Sequence, residues 1–286
     1  MSHENEAKSL PAPRVHAPPG ACDTHMHFYD ARYPDAPTSS FTPPDASVEA
    51  YRALQSRLGL ERVVIVQPST YGADNACQLE KREAFGDAAR MVLAVDEATT
   101  DAELEKWTAL GARGARFYML AGAPLPWELL EPVAARVHEF GWHVQLQTNG
   151  HELADLKPRL ESLPGGLVID HIGRFHDPVD VDHASFKALL ELVERGNCWV
   201  KLSAPYTSSL DDPPFDDLRA TARALVKAAP ERMLWASNWP HPGHHDVYDD
   251  AMLLDLLLDW TDDEETCRRI LADNPAQLYG FVQHRS

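Results

Sequence analysis

Five polar residues of the sequence lie where short apolar segments end. His25 and His27 occupy alternate positions at the end of one apolar segment, and His171 ends a second. Asn238 and His241 follow a third. Because alternate residues of a strand point in the same direction, His25 and His27 can reach into one cavity together. These five residues are the candidate catalytic set.

The two neighbouring imidazoles are suited to a divalent metal ion. Zinc needs nitrogen lone pairs that converge at about 2.0–2.1 Å, and two histidines on one strand face supply two of them. The alternative is that both histidines make only structural hydrogen bonds at the strand end. A third histidine, His171, at the end of another strand favours a functional site over a purely structural role. A metal, if present, would be held by His25, His27 and His171, with water or substrate completing the coordination.

Two arginines are candidates for binding an anion. A guanidinium group binds a carboxylate through two parallel hydrogen bonds, which suits Arg116 and Arg174 to an acidic substrate. The alternatives are a buried ion pair for Arg116 and a surface loop position for Arg174. Gln147 needs a polar partner if it is buried, so contact with substrate is a candidate role for it. The other candidates for hydrogen bonds to substrate, each of which could equally be a solvated loop residue, are Ser69, Tyr71 and Tyr206.

Eight short apolar segments alternate with helical segments along the chain. Their apolar runs are nearly continuous, as expected for parallel strands buried on both faces. The predicted strands are Ala21–His27, Arg62–Val66, Arg90–Val95, Gly114–Phe117, His143–Gln147, Leu167–His171, Cys198–Ser203 and Met233–Asn238. The predicted helices are Ser47–Leu58, Asn75–Phe85, Asp101–Leu110, Pro126–Phe140, Phe186–Arg195, Phe215–Ala229 and Asp263–Ala272.

This alternation predicts the α/β class and a single (β/α)8 TIM barrel. A doubly wound open sheet is the alternative, but the first predicted strand is not followed by a G-x-G-x-x-G turn. Functional residues of such barrels lie at the carboxyl ends of the strands and in the loops that follow, where the candidate residues cluster. Residues 1–20, which carry four Pro, are predicted to be a short N-terminal arm, and residues 21–286 a single domain.

The amino-acid composition indicates which partners and which cellular location to expect. The chain has 26 basic and 44 acidic residues, a net charge of -18, so we expect no nucleic acid partner, because phosphate binding needs a basic face. The sequence contains no run of 18 apolar residues and its start lacks the features of a signal peptide, which predicts a cytoplasmic protein without membrane contact. The four cysteines form no C-x-x-C pair and are expected to be reduced. Whether the chain forms a homo-oligomer is left open.

Three motifs together resemble the amidohydrolase superfamily, of the amidohydrolase-2 type. They are DTHMH at residues 23–27, DHIGR at residues 170–174 and WASNWPH at residues 235–241. Within the superfamily they are most similar to the branch that contains 2-pyrone-4,6-dicarboxylate lactonase and galactarolactone isomerase. The resemblance extends over nearly the whole chain from Ala21 to Phe281, and it implies a distorted (β/α)8 barrel.

One position departs from the usual pattern of this family. Where the family usually has Asp, in W-G-[ST]-D-W-P-H, this chain has Asn238. An amide cannot act as a general base and is a poor zinc ligand. The resemblance implies that the isomerase branch also carries Asn here and that the lactonase branch works without metal. We therefore expect no cofactor, with zinc as the alternative.

These observations predict a catabolic enzyme that hydrolyses the lactone of a dicarboxylate or sugar acid without a tightly bound metal. Protonated or neutral imidazoles would donate to the developing oxyanion, Asn238 would orient a water or a substrate hydroxyl, and His241 would accept the proton. Two alternatives are an intramolecular lactone isomerase, which Asn238 favours, and a zinc-dependent hydrolase or decarboxylase. A third, suggested by Asn238, is a catalytically silent relative that binds a ligand.

Overall fold

The structure, a computed structural model, describes residues 11–282 and contains eight parallel strands that pair in sequence order. The strands are β1 Cys22–Met26, β2 Arg62–Val66, β3 Ala89–Leu93, β4 Ala112–Tyr118, β5 His143–Gln147, β6 Leu167–Ile169, β7 Cys198–Leu202 and β8 Met233–Trp235. The helices are α1 Val48–Leu58, α2 Ala76–Arg82, α3 Asp101–Ala109, α4 Leu130–His138, α5 Leu153–Glu161, α6 Ala184–Glu194, α7 Arg219–Ala228, α8 Asp250–Trp260, α9 Glu264–Arg268 and α10 Asn274–Tyr279.

Hydrogen bonds between β1 and the segment after β8 bring the two edges of the sheet together. The backbone N–H of His27 donates to the carbonyl of Trp239 at 2.9 Å, and that of Asn238 donates to the carbonyl of His25 at 2.9 Å. The Thr24 hydroxyl also donates to the carbonyl of Trp235 at 2.8 Å. The predicted (β/α)8 barrel is confirmed, and its closure places Asn238 next to the paired histidines.

The amino-terminal end of the barrel is filled by apolar side chains. Val64, Val92 and Val168 pack inside it with Tyr279 of α10. The Arg90 side chain, at the start of β3, donates from Nε to the carbonyl of Tyr279 at 3.0 Å, which fastens α10 to this end. The polar side chains of the candidate site lie at the opposite end of the barrel, where the strands finish.

Helix ends follow the local sequence. Helix α3 begins with a capping box, in which the Thr100 side chain accepts from the N–H of Glu103 and the Glu103 side chain accepts in return from the N–H of Thr100. Three of the observed helices, α5, α8 and α10, have no counterpart among the helices predicted from the sequence. Helix α5 contains Pro158, a residue that normally argues against a helix interior. Helix α8 was missed although Asp249 caps its first turn.

The described part of the predicted arm, residues 11–20, packs against α8. Asp255 accepts hydrogen bonds from the N–H groups of Arg14 and Val15 at 2.7 and 2.9 Å, and Val15 is buried. The rest of the arm, residues 1–10, and the last four residues of the predicted domain lie outside the described residues. Between residues 11 and 282, no helix combines the length and the apolar character needed to cross a membrane.

Candidate active site at the carboxyl ends of the strands

The structure brings the three predicted histidines together at the carboxyl ends of β1 and β6. The Nε2 atoms of His25 and His27 are 3.2 Å apart. The rings of His25 and His171 lie with their centroids 5.0 Å apart. All three imidazoles are buried. They therefore form one cluster inside the barrel mouth, as the spacing of the motifs predicts.

Hydrogen-bond partners fix the proton positions in this cluster. Nδ1 of His27 lies 2.8 Å from the carbonyl oxygen of Val66, which can only accept, so the proton is on Nδ1 and Nε2 carries a lone pair. His25 must then donate from its own Nε2 to His27. Burial lowers the pKa of His27 to about 3, reinforced by the positive charge of Arg116. Burial likewise holds the pKa values of His25 and His171 well below 6.5. The cluster is therefore neutral at neutral pH.

A second polar network, which the sequence analysis did not assign to the site, surrounds His25. Lys201 is fully buried, and its ammonium group donates to the Gln145 side chain at 2.7 Å and to the carbonyl of Thr24 at 2.8 Å. It also lies 3.3 Å from Nδ1 of His25. Gln145 donates in turn to Asp170 at 3.1 Å. Burial lowers the pKa of Lys201 to about 8, which the nearby Asp170 carboxylate partly offsets.

The signal for this network was present in the strands. Gln145 and Gln147 alternate on β5, and Lys201 and Ser203 alternate at the end of β7. Alternate polar residues in otherwise apolar strands point to the same side of a sheet, here the interior of the barrel. Ser203 completes the pattern by contacting Nδ1 of His171 at 2.9 Å.

Asp23 ties the β1 histidines to the segment after β8. It accepts hydrogen bonds from the Ser237 hydroxyl at 2.5 Å, the Ser237 N–H at 3.0 Å and the His25 N–H at 3.1 Å. The Tyr51 hydroxyl is a fourth donor at 3.0 Å. Burial raises the pKa of Asp23 to about 6 in spite of these donors. Its contacts hold His25 and the residue before Asn238 in register.

Arg116 and Arg174 are the two candidate cations for binding an anion. Arg116 is buried and donates to the carbonyl of Gln67 and, at 2.9 Å, to the side chain of Gln147, so Gln147 holds the guanidinium. The Nε atom of Arg116 and the Nε and Nη1 atoms of Arg174 are buried without a hydrogen-bond partner. Burial lowers the pKa of both side chains. No acidic side chain between residues 11 and 282 forms an ion pair with either guanidinium, so the pair can receive an anion.

Asn238, Tyr206 and His241 form a chain of contacts beside the histidine cluster. The Asn238 amide donates to the hydroxyl oxygen of Tyr206 at 3.0 Å. That hydroxyl lies 2.9 Å from Nδ1 of His241. His241, the predicted proton acceptor, is therefore in contact with Tyr206 at this nitrogen. The backbone carbonyl of Asn238 accepts from the N–H of His241 at 2.7 Å, but among the described residues no donor contacts its side-chain oxygen Oδ1, which is available to a water or a substrate hydroxyl.

The two candidates in the loop after β2 have different surroundings. The hydroxyl of Tyr71 accepts from the N–H of Asp30 at 2.9 Å and lies 3.3 Å from its carbonyl oxygen. Tyr71 therefore fastens the loop that follows β1. Ser69 begins a short 3-10 turn and is partly exposed. Contact of either residue with substrate stays a prediction.

Strained backbone conformations are concentrated at these strand ends. Ile172, directly after His171, has a φ of 56°, which is costly for a β-branched residue. The same left-handed region is occupied after β6, β7 and β8, and strain of this kind is typical of functional sites. The other non-glycine residues with positive φ in these three segments are His171, Arg174, Ala204, Phe215, Asn238, His241 and Asp246.

The spacing of the imidazoles is suitable for a divalent ion. A separation of 3.2 Å between two Nε2 atoms allows both to reach one zinc ion at about 2.0–2.1 Å. Ligand atoms of His25, Asp170 and His171 also lie within 4.8 Å of one another. These distances alone would permit a metal.

The charges around the imidazoles are unfavourable to a cation. Two positive charges, those of Lys201 and Arg116, act on His25 and His27, against the negative charge of Asp170, whose Oδ1 lies 3.3 Å from Nδ1 of His25. Position 238 supplies a neutral amide, so no carboxylate faces the pair from β8. The donor set therefore fits a tightly bound dication in spacing but not in charge.

The chain matches the family described as amidohydrolase over residues 22–281. It is 38% identical to a D-galactarolactone isomerase from Agrobacterium fabrum over 273 residues, which cover 94% of both chains. It is also 34% identical to a 2-pyrone-4,6-dicarboxylate hydrolase from Comamonas testosteroni over 281 residues, covering 93% of this chain and 92% of the relative. The resemblance stated from the three motifs is confirmed.

Among solved structures, the fold is similar to that of an Agrobacterium tumefaciens protein whose apo crystal structure is known. The two superpose with a TM-score of 0.91 and 38% sequence identity, covering 96% of this chain and all of the other. The agreement extends over the barrel that carries the site.

Proposed function

The chain belongs to the amidohydrolase family, and on that premise we propose that it hydrolyses the lactone of a small carboxylated substrate without a tightly bound metal. The observation that carries the proposal is the pair of cations at the barrel mouth, Arg116 and Arg174, neither of which forms an ion pair with an acidic side chain of the described chain. A buried charge is costly unless it is neutralised, and a substrate carboxylate would neutralise it. The relatives named for lactones and a dicarboxylate support this substrate class.

The neutral histidine cluster supplies hydrogen-bond donors rather than a general base. His171 contacts Ser203 through Nδ1 at 2.9 Å, so its Nε2 is the nitrogen that can face the substrate. With the proton on Nε2, His171 can donate to the lactone carbonyl oxygen as negative charge develops there. His25 and His27 are committed to each other and to Val66, so they shape and support the site.

The charge balance around the histidines supports the proposed metal independence. If zinc were bound, His25, His27 and His171 would hold it, and it would polarise the carbonyl. The nearby positive charges of Lys201 and Arg116 oppose such binding, and the negative charge of Asp170 favours it. We expect enzyme purified without chelator to contain less than stoichiometric zinc and to keep its activity after treatment with a chelator. Stoichiometric zinc that tracks activity through removal and restoration would overturn this part of the proposal.

Lactone isomerisation is the second candidate, and the amide at position 238 favours it. Attack by a substrate hydroxyl on its own lactone needs a weaker base than attack by water, because proximity contributes on the order of several kcal/mol. An amide offers no base at all. Both reactions require the same anion site and the same carbonyl polarisation, so only the attacking oxygen differs.

A panel of dicarboxylate and aldarate lactones followed by NMR tests the proposal. Ring opening gives the free acid, whereas ring migration gives a new lactone of the same mass, and the two products have distinct spectra. We expect turnover only of lactones that carry a further carboxylate. Turnover of neutral lactones at equal efficiency, or of none in the panel, would refute it. The His171→Ala variant controls for background hydrolysis, since it removes the carbonyl donor.

A further inference from the structure

We propose that Asp250 positions His241, so that the hydroxyl of Tyr206, and not His241 itself, exchanges a proton with the attacking oxygen. This inference rests on the proposed lactone chemistry. Asp250 is the first residue of α8 and lies outside the motifs that define the site. It would act as a positioning residue, and Tyr206 as the catalytic residue that touches the substrate.

The first step of the argument is the contact between Asp250 and His241. Oδ1 of Asp250 lies 3.1 Å from Nε2 of His241, and both side chains are almost fully buried. Neither atom makes a hydrogen bond with any other group in the described chain, and the two are close without being aligned as a hydrogen bond. A carboxylate next to Nε2 favours the proton on that nitrogen. Nδ1 of His241 then carries the lone pair.

The second step follows at Nδ1. The Tyr206 hydroxyl lies 2.9 Å from this nitrogen, so it donates its proton to His241. The Tyr206 oxygen accepts from the Asn238 amide at 3.0 Å. A hydroxyl oxygen can accept twice, so one lone pair of Tyr206 remains for a hydroxyl of the substrate or a water.

Packing holds the Tyr206 ring in this orientation. It stacks on Tyr248 with centroids 4.5 Å apart and planes 12° apart, and His244 lies 5.0 Å from it. Burial raises the pKa of Tyr206 well above its usual value. A free phenolate is therefore unfavourable. Tyr206 can accept a proton only while it passes its own to His241.

The proton movements balance in both directions. As the attacking oxygen bonds to the lactone carbonyl carbon, its O–H bond breaks and the proton moves to the Tyr206 oxygen. The original Tyr206 proton moves to Nδ1 of His241, and the Asp250 carboxylate neutralises the resulting imidazolium. When the ring C–O bond breaks, the leaving oxygen takes a proton from Tyr206, which recovers its own from His241. The relay supplies the base that Asn238 cannot supply. At the end of the reaction, Tyr206 and His241 have returned to their starting protonation states.

The Asp250→Asn variant tests the relay, with Asp249→Asn as its matched control. The control removes a carboxylate from the same helix end, but Asn still caps α8, and Asp249 pairs with Arg57 rather than His241. Nitrogen-15 NMR of the imidazoles reports the tautomer, and steady-state kinetics report kcat and KM. In the wild-type and control proteins we expect the His241 proton on Nε2. In Asp250→Asn we expect that preference to be lost and kcat to fall by about 10²- to 10⁴-fold, with little change in KM.

Two further variants separate positioning from a structural effect. Asp250→Glu should recover part of kcat, and Asp250→Asn combined with Tyr206→Phe should lose no more than the worse single variant, because groups that act as a unit are not additive. A wild-type His241 with its proton on Nδ1, or a full kcat in Asp250→Asn, would overturn the assignment. If the wild-type protein turns over no lactone, the proposed function fails and the role of Tyr206 fails with it, whereas the tautomer still decides the role of Asp250.

Discussion

Replacing Arg116 with Met tests the anion site directly. The guanidinium is fixed by Gln67 and Gln147 and forms no ion pair with an acidic side chain between residues 11 and 282, so its free donors are available to substrate. A bidentate contact with a carboxylate comprises two charge-assisted hydrogen bonds, each contributing about 1.5–3 kcal/mol. Losing both costs about 3–6 kcal/mol, which corresponds to a fall in kcat/KM of about 10²- to 10⁴-fold at 1.4 kcal/mol per factor of ten.

The same substitution should have a small effect on stability. The substitution removes the two hydrogen bonds that the Arg116 side chain donates, each of which contributes about 1.5–3 kcal/mol to stability. Removing a buried charge relieves a desolvation penalty of several kcal/mol. The two effects have opposite signs, so we expect the free energy of unfolding to change by no more than about 2 kcal/mol. Loss of activity without loss of stability distinguishes a binding cation from a structural one.

The assay compares a carboxylated lactone with its methyl ester, which lacks the charge. The wild-type enzyme should prefer the acid, and Arg116→Met should treat both substrates alike. Arg113→Met is the matched control: Arg113 lies on the same strand, but it donates to the backbone carbonyls of Thr108 and Ala112, so its kinetics should be unchanged. An equal loss on both substrates, or a large fall in melting temperature, would refute the reasoning.

Two other substitutions test the role of the Asn238 amide and the buried neutral state of His143. Asn238→Asp should add hydrolytic turnover if the native reaction is isomerisation, because a carboxylate can accept a proton from water; NMR of the products measures it, and no gain would count against isomerisation. His143, whose pKa burial lowers to about 3, stabilises the fold fully above pH 6.5, and this contribution is lost as the pH falls from 6.5 towards 3. His143→Gln should therefore reduce the acid sensitivity of unfolding by about 1.4 kcal/mol per pH unit in that range, measured by urea denaturation; an unchanged slope would contradict the buried neutral state.

The sequence predicted the fold and the meeting point of the site because barrel geometry links distant segments. Once eight strand–helix units are recognised, His25, His171 and Asn238 must lie at one end, since parallel strands finish on the same side. The closing hydrogen bonds between β1 and the segment after β8 then place Asn238 next to His25. These positions could be predicted without any knowledge of the side-chain contacts.

The side-chain contacts of those residues could not be predicted from local sequence patterns. Lys201 was visible as a lysine in an apolar strand, but its contact with Gln145 depends on two strands that are not neighbours in the sheet. Asp250 reaches His241 because the loop between them folds back onto the start of α8. The path of that loop is set by its own backbone, including the positive φ of His241 and Asp246.

The contacts of Asn238 indicate what an amide does that a carboxylate could not. Its NH₂ group donates to the Tyr206 oxygen, which leaves the Tyr206 proton for His241. A carboxylate at this position would accept that proton instead and would compete with Nδ1 of His241. The direction of the hydrogen bond from Tyr206 is therefore determined by whether residue 238 donates or accepts. Asn238 is better explained as a part of a proton relay than as the loss of a base.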